Sequence, residues 1–207
     1  LFDDIRSEKA FDTIKKAING LLINDHKTIS LGGDHSVSYP IIDAFTNKYT
    51  NLHVLHLDAH GDLYDNFDNN PFSHASPFAR IMEQGKVQSL TQVGLRTLTT
   101  HQKEQAKKFG VTIIEMKDFS YDFISRLSSP LYISLDMDVL DPAFAPGVSH
   151  HEPGGLTTRE LLHIIQQINV AVIGADLVEY NPIRDINNVT AMLAYKLMKE
   201  LISKMVD

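Results

Sequence analysis

The sequence predicts an α/β domain: a mostly parallel sheet covered by helices on both faces. Three observations predict it. Segments of strand length alternate with segments of helical period six times along the chain. The 207 residues, 43% of them apolar, suffice for a single domain with a full core, and no linker, repeat or low-complexity tract divides them. Two polar loops exceed the usual connection of about 4–6 residues, which marks them as functional candidates.

The elements follow in order. Phe11, Ile14, Ile18 and Leu21 recur at helical spacing, and Gly20 is expected to close that helix. A short strand, Thr28–Leu31, runs into Gly32-Gly33. A helix follows over about 37–49, with Pro40 tolerable near its first turn. Leu52–Leu57 reads as a strand, followed by the first long loop, Ala59–Phe72. Residues 75–83 form a helix closed by Gly85, 89–95 a strand, 99–109 a helix and 111–115 a strand. A weak helix at 121–127 precedes a strong strand at 131–135. The second loop, rich in Pro and Gly, covers 139–156. Thr157 and Glu160 have capping-box spacing and open a helix to about Ile168. Residues 170–178 form an apolar strand and 189–205 the final helix.

Composition excludes several classes. The 26 acidic and 19 basic residues leave a net charge of -7, with no run of Lys or Arg to neutralise a phosphate backbone, so nucleic acid is not an expected partner. No apolar stretch reaches the roughly 20 residues of a membrane span, and no signal peptide is visible. Cysteine is absent, which removes disulfides, thiolate metal sites and cysteine nucleophiles and fits a reducing cytoplasm.

The acids and histidines fall just past strand ends. The strand ending at Leu31 is followed by Gly32-Gly33-Asp34-His35-Ser36, and the one ending at Leu57 by Asp58-Ala59-His60-Gly61-Asp62. Leu135 is followed by Asp136-Met137-Asp138, and Val178 by Glu179. Ligands bind at the carboxyl ends of strands in open parallel sheets, so these clusters are expected to meet at one edge. Residues i and i+2 of an extended segment point the same way, roughly 6.6 Å apart. Asp58, His60 and Asp62 can therefore face one cavity, as can Asp136 and Asp138. Two metal ions about 3.5–4 Å apart need ligands spread in this way, with Asp58 and Asp136 able to bridge and His35 and His60 able to cap.

Charge strengthens the case. Four carboxylates in one crevice raise each other's pKa values, and two divalent cations cancel that charge. A set of Asp and His without sulfur suits Mn²⁺ better than Zn²⁺ and is too rich in nitrogen for Ca²⁺; Ni²⁺, Co²⁺ and Fe²⁺ stay open. A lone Gly-Gly-Asp-His would be weak evidence, since a single loop Asp or His is more often a cap or a turn former. Three such motifs in one chain are specific, because an incidental origin must be supposed separately for each.

At these residues the chain resembles the arginase/agmatinase (ureohydrolase) family. Gly-Gly-Asp-His-Ser (32–36), Asp-Ala-His-x-Asp (58–62) and Ser-x-Asp-x-Asp-x-x-Asp-Pro (134–142) carry the resemblance, with 141–147 and Gly174-Ala175-Asp176 to Pro182 beside them. It covers nearly the whole chain from about Ile29. It implies a three-layer α/β/α fold, one ureohydrolase domain over 1–207, a homo-oligomer (trimer or hexamer) and two Mn²⁺ per chain. One ion is implied on His35, Asp58, Asp62 and Asp136, and the other on His60, Asp58, Asp136 and Asp138. The implied reaction is attack of a metal-bridging hydroxide on a guanidino carbon, giving urea and an amine. Glu179 is implied to bind the guanidinium, Asp62 to relay a proton to the leaving amine, and His74 to shuttle protons to solvent. Family members carry more chain before Gly-Gly-Asp-His than the 31 residues preceding Gly32, so an N-terminally shortened form is expected.

The residues after the second motif, Leu63-Tyr64-Asp65-Asn66, resemble agmatinases and plant-type arginases rather than animal-type arginases. Agmatine, giving putrescine and urea, is therefore the first expected substrate. Arginine comes next, and 4-guanidinobutyrate or another guanidino or formimino compound after it. Two other classes compete. A single-Zn²⁺ deacetylase on a related fold would not need Asp62 and Asp138, and a non-catalytic binding protein would be expected to have lost ligands. Plainer roles are expected elsewhere: Asp34 and Asp141 as turn formers, His56 as a satisfied buried ring, Glu179 alternatively in an ion pair with Arg184, and His150 and His151 with no role.

Overall fold

The computed structural model describes residues 8–206. Six strands form one all-parallel sheet: β1 (Thr28–Leu31), β2 (Leu52–Leu57), β3 (Val87–Leu95), β4 (Thr112–Glu115), β5 (Leu131–Asp136) and β6 (Val172–Val178), in the order β1-β6-β5-β2-β3-β4. The helices are α1 (Glu8–Ile23), α2 (Ser38–Lys48), α3 (Pro77–Glu83), α4 (Thr100–Phe109), α5 (Thr158–Gln167) and α6 (Val189–Val206). The region expected as a weak helix is a 3₁₀ segment, Tyr121–Arg126.

Side-chain alternation along each strand builds two cores. Leu131, Ile133 and Leu135 of β5 face one side and pack with Leu161, Ile165, Leu197 and Leu201 of α5 and α6. Tyr132 points the other way, into a core with Ile18 and Leu22 of α1, Phe45 of α2 and Phe78 of α3. Burial on both faces is what an all-parallel sheet demands. The fold is therefore the three-layer α/β/α arrangement expected.

Local chemistry sets the ends of α4 and the start of α5. Thr157 and Glu160 form a reciprocal capping box at α5, and Thr99 with Gln102 forms another at α4. Gly110 closes α4 in the left-handed region at φ +67°. Gly20, by contrast, does not end α1, which continues to Ile23. A helical Gly costs about 1 kcal/mol relative to Ala, and Leu22, only 2% exposed, offsets it by packing into the α1–α2 core.

The strand order places the site. β1, β6, β5 and β2 are consecutive neighbours, so their four carboxyl ends lie side by side. Gly94 lets β3 close on that edge: it sits at φ +100°, and a Cβ there would lie 2.9 Å from the Asp58 carbonyl oxygen.

Candidate metal centre

Three of the four clusters leave their strands through a turn that their own acid stabilises, Asp34, Asp58 and Asp136 each accepting the N–H two residues on. Asp34 caps the 3₁₀ turn His35–Val37 by accepting the Ser36 N–H. Asp136 caps the turn Met137–Val139, its Oδ1 accepting the Asp138 N–H at 2.7 Å. Asp62 and Glu179 adopt left-handed backbone, φ +47° and +64°. Such a conformation is uncommon for residues with a Cβ and concentrates at functional sites.

All six expected ligands converge, in two groups. His35 Nδ1 lies 3.1 Å from each of Asp58 Oδ2, Asp62 Oδ2 and Asp136 Oδ2. His60 Nδ1 lies 3.0 Å from Asp138 Oδ2 and 3.3 Å from Asp58 Oδ1. Asp58 thus contributes one oxygen to each group. Asp136 joins the first group through Oδ2, while its other oxygen faces the Asp138 N–H.

The donor set fits cations. His35 is 1% exposed, and its Nδ1 has no hydrogen-bond partner among the described residues. Ser134 Oγ donates to Asp176 Oδ1 at 2.7 Å, so its lone pair is free to accept His35 Nε2–H at 2.9 Å. That order leaves a lone pair on Nδ1, aimed at three carboxylate oxygens. Three carboxylate oxygens and a neutral-ring Nδ1 aimed at one point call for positive charge among them, which a proton on the ring or a bound cation supplies. Ligand atoms around one ion with bonds of about 2.1 Å are separated by about 3.0–3.4 Å, which the 3.1 Å spacings match.

The protonation equilibria show the same crowding. Burial, then Asp138 and Asp58, pushes Asp136 well above the carboxylate range. Burial and Asp58 push Asp138 up to about 6. Burial works against the charge of Asp58, but His56, His35 and His60 hold its carboxyl well below the usual range. Burial opposes charging of His60, yet Asp138 and Asp58 outweigh it and push the ring up to about 12. His35 is likewise raised well above its ordinary value by Asp136, Asp58 and Asp62 against the cost of burial. Without cations, protons on the histidines partly neutralise the acids.

The expected catalytic residues surround a cavity of about 220 Å³ against these groups, lined by Asp62, His74 and Glu179 together with Asp136, Asp138 and His150. Glu179 Oε1 accepts the His35 backbone N–H at 2.9 Å rather than pairing with Arg184. Burial pushes its carboxyl up to about 7, with His35 pulling the other way. The His74 ring stacks on His150, centroids 5.6 Å apart at 14°. Asp34 and Asp141 hold loops as expected; Asp141 accepts the N–H groups of Ala143 and Gly154.

Several contributors were given no part in the site by the sequence. His150, expected to have no role, lines the cavity and meets His60 edge-on at 5.8 Å. It sits in an aperiodic loop, where spacing carries no signal. Arg96 fixes that loop: its guanidinium donates to the carbonyls of Asp138 (2.7 Å), Glu152 (2.8 Å) and Gly94 (3.0 Å). His56 is buried as expected, and its partner is Asp58 Oδ2 at 2.7 Å. The i, i+2 spacing of these two at the end of β2 could have paired them.

Comparison with known proteins places the chain in a family. The arginase family profile matches residues 2–203. The mitochondrial arginase 1 of Arabidopsis thaliana is 50% identical over 187 residues, covering 86% of this chain and 55% of that protein. The agmatinase of Bacillus cereus is 34% identical over 207 residues, covering 95% of this chain and 70% of that protein. The solved arginase from Medicago truncatula superposes with a TM-score of 0.90 at 43% identity, covering 96% of this chain and 66% of the other. The chain thus spans only about 55% of the length of the Arabidopsis protein. A profile matched along almost all of its length, and a relative with the same fold, establish that the chain belongs to the arginase family.

Proposed function

We propose that this chain carries the dinuclear centre of a manganese ureohydrolase that splits a guanidino group into urea and an amine. The observation that carries the reading is Asp58, with one oxygen in the His35 group and the other in the His60 group. His35, Asp58, Asp62 and Asp136 would hold one cation, and His60, Asp58 and Asp138 the second. When bound, two such ions supply water activation at neutral pH and Lewis-acid stabilisation of developing charge.

The chain's own residues do the rest. Glu179 binds and orients the guanidinium through its carboxylate, a bidentate match in charge and shape. Its raised pKa, about 7, falls when the cationic substrate arrives, so binding restores the ionised form. Asp62 lines the cavity and delivers a proton to the leaving nitrogen. His74, on the cavity wall against His150, exchanges that proton with solvent.

Arginine is the favoured substrate, ahead of the agmatine expected from Leu63-Tyr64-Asp65-Asn66, because the more similar relative named above is an arginase. No helix among the described residues is long and apolar enough to cross a membrane. Lack of cysteine suits the cytoplasm or any other reducing compartment. Self-association is part of the proposal: α6 exposes Val189, Met192, Tyr195 and Val206, a face that another copy would cover.

Urea release from arginine, agmatine and 4-guanidinobutyrate, with and without added Mn²⁺, tests the reading. Mn²⁺-dependent urea formation, fastest with arginine, is expected. Faster release from agmatine reverses the substrate order. No urea from any of the three, in protein holding two Mn²⁺ per chain, supports a binding role instead.

A further inference from the structure

We propose that His56 is a positioning residue that holds Asp58 in the orientation a bridging carboxylate needs; this rests on the metal-centre reading above. His56 is fully buried on β2. Its ring stacks on Phe78 of α3, centroids 3.9 Å apart at 27°, and meets His35 edge-on at 4.9 Å. Nε2 lies 2.7 Å from Asp58 Oδ2, and Nδ1 lies 2.9 Å from Gln92 Nε2.

The position of the His56 proton follows from Gln92. The Gln92 amide nitrogen donates to the Gly61 carbonyl at 2.6 Å, which fixes the amide's orientation, since a flip would set two oxygens against each other. An amide nitrogen only donates, so His56 Nδ1 accepts and the ring proton sits on Nε2. Nε2–H therefore donates to Asp58 Oδ2. On the other side, Asp58 Oδ1 accepts the His60 backbone N–H at 2.6 Å.

A carboxylate oxygen has two acceptor positions. On Asp58 one position of each oxygen is occupied by a fixed donor, His56 or the His60 N–H. The remaining position on Oδ2 is left for the group of His35 Nδ1, 3.1 Å away, and that on Oδ1 for the group of His60 Nδ1, 3.3 Å away. His56 lies close enough to His35, Asp58 and Asp62 to be considered a ligand itself. Neither of its nitrogens has a lone pair to offer, however: Nε2 carries the proton and Nδ1 is engaged by Gln92. Its role is orientation, one layer behind the donor atoms.

Titration of the metal-free chain with Mn²⁺ by calorimetry, joined to ¹⁵N NMR of the histidine rings, tests this. His56→Phe keeps a ring against Phe78 and removes the donor. His56→Gln returns an N–H near the Nε2 position. The wild-type chain is expected to bind two Mn²⁺ and to show the Nε2–H tautomer at His56. His56→Phe is expected to bind both ions about 10–100-fold more weakly, and His56→Gln to recover most of that loss. If His56→Phe does not fold, Gln92→Leu takes its place, and weakened Mn²⁺ binding is again expected. Wild-type affinity in His56→Phe or Gln92→Leu overturns the positioning role, as does an Nδ1–H tautomer in the wild-type chain. Loss of one ion at saturating Mn²⁺ in His56→Phe overturns it too, by making His56 a ligand. Failure of the wild-type chain to bind any Mn²⁺ overturns the metal-centre reading, and this inference with it.

Discussion

Asp58 and Asp136 differ in how the chain holds them, and the difference shows in their protonation. Three histidines surround Asp58 and keep it ionised, whereas Asp136 meets only His35 and is pushed up by burial and by Asp138 and Asp58. Asp136→Asn is therefore expected to lower Mn²⁺ affinity and urea release together. Near-normal occupancy by elemental analysis would count against the site. A pH effect follows from the histidines. His35 and His60 hold protons at neutral pH in the metal-free chain, and a cation must displace them. Mn²⁺ affinity is expected to rise with pH, with proton uptake by the buffer on binding, measurable by calorimetry in buffers of different ionisation enthalpy. In the metal-free chain the raised pKa of His60 contributes stability that is full below about 6.5 and is lost as pH climbs towards about 12. At this scale the six candidate ligands were legible because acids and histidines cluster directly after the ends of three apolar strands. His150 was not, because it lies in a loop that has no period, and Arg96 was not, because it follows the end of β3 with neither an acid nor a histidine beside it.

Strand ends and helix starts are where the elements carry both stability and function. The first turn of α6 is anchored by Asp185, whose Oδ1 accepts the Thr190 N–H at 2.9 Å and whose Oδ2 accepts the Ala191 N–H at 3.0 Å. Burial opposes the charge of Asp185, but the Thr190 and Ala191 N–H groups together outweigh it and hold the carboxyl below its ordinary value of 3.8. Asp185→Ala is expected to cost about 1 kcal/mol in denaturant unfolding. The contribution is present above about pH 3.8 and is lost as pH falls through the lowered value. An unchanged midpoint at pH 7 would contradict the anchor. The sequence signalled most elements well, since capping boxes and apolar periods are local. Gly20 misled because tertiary packing of Leu22 decides that helix end, and Asp185 was missed because it precedes α6 by more than a capping residue does.

The order of strands in the whole sheet brings the motifs together. Alternation of elements foretold a parallel sheet, but no local pattern says that β6 inserts between β1 and β5. That insertion sets Glu179 beside His35, joined by a 2.9 Å hydrogen bond between residues 144 positions apart in sequence. Because the proposed ligands cluster at the ends of β1, β2 and β5, the proposed metal binding is expected to be linked to folding of the whole domain. At a Mn²⁺ concentration 100 times Kd, each independent site is expected to add about 2.7 kcal/mol of stability. A thermal midpoint that does not move with Mn²⁺ would contradict that linkage.

The central claim is that two cations share Asp58. Anomalous diffraction from crystals grown in Mn²⁺, recorded near the manganese absorption edge, measures it directly. The account predicts two anomalous peaks, one beside His35 and one beside His60, with a different oxygen of Asp58 on each. A single peak, or none at saturating Mn²⁺, would contradict it.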